Sequence, residues 1–205
     1  MAAAIGLGLP VQEAEGALVV NIGGGTTEIA VISLGGIVVE RSLRLAGKKM
    51  DESIVNFIRL KHSLLLGEQT AEQVKIEIGS AQPVEKEKHA VVRGRDLEKG
   101  LPKSVKISST EIREAIAPVV RRLVDSVASI LEEMPPELVT DIVQRGIQLC
   151  GGGAQLEGLD KLISQEVKMP VYVAQKAVDA VVIGCQKVLT NKELLNKVRV
   201  TGGLS

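Results

Sequence analysis

Two runs of glycine, each placed directly after an apolar segment, constrain this chain more than any other feature. The first is Asn21-Ile22-Gly23-Gly24-Gly25-Thr26-Thr27-Glu28, between the apolar segments ALVVNI and EIAVISL. The second is Cys150-Gly151-Gly152-Gly153-Ala154, after the mostly apolar residues 147–149 and before a helical pattern. The flanking patterns predict strand–turn–strand for the first run and strand–turn–helix for the second. Glycine lacks a Cβ and tolerates positive φ, so its backbone can come close to an anionic ligand. Successive amides in such a turn can converge on phosphate oxygens.

A P-loop needs a Lys closing G-x-x-x-x-G at the start of a helix, and no Lys follows either run. A Rossmann fingerprint needs G-x-G-x-x-G between strand and helix, which residues 23–25 do not supply. A triple glycine by itself is also compatible with a plain tight turn. The Thr26-Thr27 hydroxyls and the second glycine turn favour phosphate binding, with one nucleotide held between the two turns.

Composition narrows the field further. The 25 basic and 25 acidic residues cancel, so no global field recruits nucleic acid or anionic lipid. Phe57 and Tyr172 are the only aromatic residues, too few for a platform that stacks single-stranded bases. Cys150 and Cys185 lie outside any CxxC context, which predicts small buried thiols in a reduced cytoplasmic protein. His62 and His89 have no metal-ligand spacing, so no catalytic or metal-ligating residue is assigned. No apolar run approaches the roughly twenty residues of a membrane span, and no basic segment precedes the N-terminal apolar stretch.

Residues 1–9 read as the last turns of a helix ended by Gly8 and Pro10. Strands over 17–22, 28–34 and 37–45, separated by glycine turns, predict an antiparallel meander. A helix over 48–66 follows, with Met50, Ile54, Phe57, Ile58 and Leu65 on its stripe. In a second helix, 70–78, Ala71, Val74 and Ile78 share one face and Glu72 and Lys75 another, a pairing common on solvated helix faces.

Short strands over 89–94 and 104–107 predict a small β insertion. Ser108-Ser109-Thr110-Glu111 offers capping chemistry for a long helix that Pro135-Pro136 stops. Beyond it come a short helix, a strand at 146–149, the second glycine turn and a helix over 156–167. A strand at 171–174, a final helix over 176–190 and a polar, frayed tail at 191–205 complete the chain.

In this strand order the motifs resemble those of the actin-like ATPases, and among them the bacterial MreB family of cytoskeletal proteins. The resemblance rests on M-A-A-A-I-G at 1–6, I-G-G-G-T-T-E-I-A-V-I-S-L-G-G at 22–36 and T-A-E-Q-V-K-I-E-I-G-S at 70–80. It rests also on V-R-G-R-D-L at 92–97, P-P-E-L at 135–138, G-G-G-A at 151–154 and G-L-D-K-L at 158–162.

It implies an α/β actin-like ATPase (ribonuclease H-like) fold: a mixed five-stranded sheet with flanking helices and a smaller α+β subdomain. Residues 1–10 would end a helix of the first lobe, and 11–68 with 135–175 would form the nucleotide-binding subdomain of the second. Residues 69–134 would be the outer subdomain, and 176–205 would pack toward the first lobe. The resemblance further implies ATP and Mg2+ as ligands. Asn21, Gly23, Gly24, Gly25, Thr26 and Thr27 would lie on the phosphate side. Glu72 and Lys75, with Gly151, Gly152, Gly153 and Ala154, would surround the adenosine.

The implied function is ATP-dependent assembly into cytoplasmic, membrane-associated filaments that control rod shape and wall synthesis. The implied partners are the protein itself and membrane-bound wall-synthesis proteins. Membrane contact and the water-orienting acid would belong to a first lobe preceding Met1. At Asn21 the family usually has Asp, and a neutral amide brings no charge to a cation. Losing such a charge-assisted bond costs about one to three kcal/mol. That departure keeps a second reading open, a non-hydrolysing paralogue that joins filaments as an interaction module. A third, a sugar kinase or chaperone ATPase of the same fold, is disfavoured by the MreB-type segments and the lack of a sugar-binding acid near the turns.

Overall fold

The computed structural model of the chain describes residues 1–198. Its first part contains helix α1 (Ala2–Gly6), strands β1 (Ala17–Ile22), β2 (Thr27–Ser33) and β3 (Gly36–Leu43), and helix α2 (Gly47–His62). Strand β4 (Leu64–Leu65), helix α3 (Glu68–Ile78), strands β5 (His89–Asp96) and β6 (Pro102–Ser108) and helix α4 (Ser109–Glu133) follow. The last part holds α5 (Pro136–Arg145), β7 (Ile147–Cys150), α6 (Leu159–Val167), β8 (Val171–Val173), α7 (Ala180–Thr190) and α8 (Lys192–Val198).

The larger sheet has the order β3-β2-β1-β7-β8, antiparallel through the meander and parallel from β1 to β7 to β8. β1 lies at its centre with helices on both faces, which is why ALVVNI is apolar almost throughout rather than alternating. β3 is the exposed edge and carries Glu40 and Arg41; Arg41 pairs with Glu133 at the end of α4. A smaller antiparallel sheet, β4-β5-β6, alternates cleanly: Ala90 and Val92 face in while Val91 and Arg93 face out. One apolar core runs from Leu18 and Val20 through Ile54 and Ile58 of α2 to Ile116 and Leu123 of α4 and Ile163 of α6. The mixed five-stranded sheet with flanking helices is the architecture the motifs implied.

The expected cap of α4 is a complete capping box. Ser108 Oγ accepts from the Glu111 amide at 3.4 Å, and Glu111 Oε2 accepts from the Ser108 amide at 2.9 Å. Ser108→Ala is expected to cost about 1 kcal/mol, read as a fall in Tm of about 2–4 °C for a chain of this size.

The turn between β5 and β6 is organised by Asp96. Its carboxylate accepts from the amides of Glu98 at 2.8 Å and Lys99 at 3.2 Å and lies 3.3 Å from Lys103 Nζ. The backbone bonds first, and then Lys103, hold its pKa below the ordinary 3.8. The stability it confers is therefore complete above pH 3.8 and is lost as pH falls through the lower folded-state value. The gap in urea midpoint between wild type and Asp96→Ala is expected to be constant near neutrality and to narrow in acid.

Several boundaries differ from expectation. The helix over 48–66 ends at His62, because Ser63 turns left-handed (φ 51°) and sends Leu64–Leu65 into β4. The last long helix begins at Ala180 rather than 176, residues 175–179 forming turns instead. The tail is helical over Lys192–Val198; the frayed end expected at 201–205 lies outside the described residues. Cys150 is buried as expected, but Cys185 is exposed. Among the described residues no helix is long and apolar enough to cross a membrane.

α1 and α7 cross at two glycines. A Cβ on Gly6 would meet the Ala180 carbonyl, and one on Gly184 would meet the Ala2 carbonyl. Lys187 Nζ reaches over the crossing and donates to the carbonyls of Ile5 at 3.0 Å and Gly6 at 3.1 Å, at the C-terminal end of α1.

Candidate functional site

The first glycine run turns tightly between β1 and β2, with the Gly23 amide donating to Thr26 O at 2.9 Å. Its carbonyls point at the start of α2: Gly47 N donates to Gly23 O at 3.1 Å and Lys48 N to Gly24 O at 2.8 Å. The hairpin thus satisfies two of the amides that a helix N-terminus leaves unpaired. Among the described residues no atom lies within 4 Å of where a Cβ on Gly24 or Gly25 would sit, so the outer face of the turn is open.

The two threonines divide their work. Thr27 is buried, and its hydroxyl donates to Leu45 O at 2.6 Å, tying the hairpin to the segment leading into α2. Only Thr26 presents an exposed hydroxyl.

Asn21 sits at the end of β1 in register with Glu28 and Cys150. Its Nδ2 donates to Glu28 Oε2 at 2.9 Å, and its Oδ1 accepts from Cys150 Sγ at 3.5 Å. Burial, foremost, pushes the Cys150 thiol up to about 11, so the sulfur remains a neutral donor at physiological pH.

The second glycine run leaves β7 and enters a short 3-10 turn, Gly152–Gln155. Gly151 adopts φ +83° and ψ 164°, and a Cβ there would meet the Ile22 carbonyl and Asn21 Oδ1. The two turns are therefore in backbone contact, and only glycine permits it. A Cβ on Gly153 would run into the Ile22 side chain, whereas the space above Gly152 is open. Ala154 is buried beneath the turn.

These parts meet in a cleft of about 420 Å³. Its wall includes Gly23 and Gly24 of the first turn, Gly152 and Gly153 of the second, and Glu72 and Lys75 of α3. Of the other residues singled out in the sequence, Gly25 and Thr26 lie at the exposed tip of the hairpin. Asn21, Thr27, Gly151 and Ala154 lie outside the wall; Thr27 and Ala154 are buried, and Asn21 and Gly151 meet behind the turns.

The structure also adds wall residues that the sequence did not assign to the site, among them Gly47, Met50, Lys88, Gln155, Leu156 and Glu157. Lys88 Nζ and Glu157 Oε2 pair across part of the rim at 2.6 Å. Gly47 carries a signal in retrospect, a glycine opening a helix after a strand. The others read as ordinary helix or loop residues. A concave space with open backbone at one end and a mixed polar and apolar wall suits a ligand with an anionic end and a flatter organic end.

Comparison with known proteins gives a consistent result. The sequence profile of the family described as MreB/Mbl protein matches residues 1–197. Over 189 residues the chain is 49% identical to the cell shape-determining protein MreB of Escherichia coli K12, covering 92% of this chain and 54% of that protein. It is 44% identical over 195 residues to the cell shape-determining protein Mbl of Bacillus subtilis 168, covering 95% of this chain and 59% of the relative. The crystal structure of MreB5 of Spiroplasma citri bound to ADP superposes with a TM-score of 0.90 at 39% identity, over 95% of this chain and 59% of that one. The MamK double helical filament matches with a TM-score of 0.76 at 21% identity, over 93% of this chain and 57% of that one, a likeness of fold alone. The chain spans little more than half the length of these relatives.

Proposed function

This chain belongs to the MreB/Mbl family, and from that premise we propose that it carries the nucleotide cleft of an ATP-binding, filament-forming determinant of cell shape. The observation that carries the proposal is the meeting of both glycine turns with Glu72 and Lys75 around one cleft. The open backbone at Gly24 and Gly152 would receive phosphates, and the α3 face with Leu156 would flank the nucleoside. Relatives crystallised with ADP and with AMPPNP support a nucleotide as the ligand. Assembly with further copies, association with membrane-bound wall-synthesis proteins and a cytoplasmic, membrane-associated location belong to the same proposal. So does the division of the chain into a nucleotide-binding unit, an outer unit at 69–134 and a C-terminal segment facing a first lobe.

The residues present fit a magnesium ion carried in by the nucleotide rather than one resident in a protein cage. Among the described residues no group of three His, Cys, Asp or Glu side chains could hold a metal. Beside the phosphate turn, however, the Glu28 carboxylate is hydrogen-bonded to Asn21. One carboxylate near phosphates is a usual complement for hydrated magnesium, and the ion would neutralise phosphate charge when bound. Glu28, held by Asn21, would supply that carboxylate.

Calorimetric titration with ADP and ATP, with and without magnesium, tests the proposal. Saturable binding tightened by magnesium is expected, and no binding at millimolar nucleotide would overturn it. Sedimentation of the native gene product with ATP tests the filament part, for which ATP-dependent pelleting is expected.

A second reading, an interaction module that joins filaments without hydrolysing ATP, is favoured by one observation. Asn21 is a neutral amide already engaged on both sides, by Glu28 and by Cys150. Robust phosphate release by this chain would exclude it.

A further inference from the structure

We propose that Asp51 is a positioning residue for the nucleotide cleft, which it serves by fixing the ammonium of Lys75 in the cleft wall. The inference rests on the nucleotide reading above and extends it to a residue that does not line the cleft.

Asp51 lies in α2, one turn beyond Gly47, and is only 7% exposed. Its Oδ1 is 2.8 Å from Lys75 Nζ, an ion-pair approach rather than an aligned hydrogen bond. The same ammonium donates to Gly47 O at 3.2 Å. A lysine ammonium has three donors and rotates freely on a flexible stem. Here the Asp51 carboxylate and the Gly47 carbonyl, both fixed on one helix, hold the ammonium beside the cleft that Lys75 lines.

Without Asp51 the ammonium would keep only a carbonyl acceptor and would be free to swing. Its neighbours on α3, Glu68 and Glu72, bear on Asp51 as like charges, so Lys75 is the partner that makes a buried carboxylate tolerable there. Burial raises the Asp51 pKa, and the ion pair with Lys75 opposes that rise.

The arrangement also links the two ends of the site. The glycine hairpin bonds the first amides of α2 through Gly23 and Gly24, and the same helix end holds Lys75 through Gly47 and Asp51. A nucleotide held by both would thus be gripped by elements sharing one rigid helix.

A double-mutant cycle tests this, using ADP titration of wild type, Asp51→Asn, Lys75→Met and the double variant, with ligand-free thermal unfolding of each. If Asp51 acts through Lys75, Asp51→Asn weakens ADP binding by about tenfold or more. Adding it to Lys75→Met then weakens binding no further. Asp51→Glu, which keeps the charge, is expected to retain most of the affinity, an outcome that loss of folding stability alone does not produce.

The inference is overturned if Asp51→Asn binds ADP as wild type does, or if the losses of the two single variants multiply in the double. Should Asp51→Asn alone fail to fold, Asp51→Glu decides: a charge-keeping variant that folds but loses ADP overturns it. A wild-type chain that binds no ADP removes the nucleotide reading and this one together, whereas binding that is indifferent to position 51 removes only this one.

Discussion

Gly151→Ala is expected to leave a chain that no longer binds nucleotide measurably. Gly151 has φ +83° and ψ 164°, a region open essentially to glycine alone, and forcing alanine into it costs about 1–3 kcal/mol. The added methyl would also meet the Ile22 carbonyl and Asn21 Oδ1. The Ile22 carbonyl is backbone and cannot swing aside as a side-chain end would, so overpacking adds about 1–3 kcal/mol. The backbone relieves both by moving the turn that places Gly152 and Gly153 in the cleft wall. Urea denaturation reads the first loss and ADP titration the second. Gly152→Ala is the matched control: with open space above it and no positive φ, it is expected to change stability by less than about 0.5 kcal/mol.

The second large effect is expected where α1 crosses α7. Gly184→Val would drive a branched side chain into the Ala2 carbonyl at a point where the two backbones touch. Small residues let helices approach this closely, and a packed crossing has no room to give. A loss of about 3 kcal/mol or more is expected, with hydrogen exchange accelerating at the amides of both helices. Val182→Ala, two residues away and 63% exposed, is expected to change exchange at neither.

How much of this was legible in the sequence depends on what each residue answers to. The meander could be read because the glycine turns and apolar runs are local signals, and the α4 cap because Ser108 and Glu111 interact three residues apart. The second glycine run was legible as a turn, but its contact with Ile22 was not, because that contact joins residues more than a hundred positions apart. Glu72 and Lys75 illustrate the limit most sharply. Helical spacing placed them on one face, and only a family resemblance raised that face above a solvated ion pair.

Asp51 gave no signal at all. An acidic residue on an amphipathic helix reads as solvent-facing, and its burial exists only once α3 brings an ammonium against it. Thr27 misled for a related reason. Its hydroxyl reads as a free donor beside that of Thr26, yet strand alternation turns it inward to Leu45. The late start of α7 has a tertiary origin too: the Gly151 amide donates to Ala177 O at 2.7 Å, engaging the segment before the helix with the glycine turn.

The central position of β1 has a consequence for how the protein is made. One edge of that strand is filled by β2 almost as soon as it is synthesised. The other waits for β7, with Asn21 and Cys150 separated by 129 positions. Throughout that interval a nascent chain on the ribosome displays an unpaired, apolar ALVVNI edge, the kind of surface on which a strand from a neighbouring chain can add. Ribosomes stalled between the meander and residue 147 are therefore expected to yield aggregating products through residues 17–22. Release past Cys150 closes the sheet and ends the hazard.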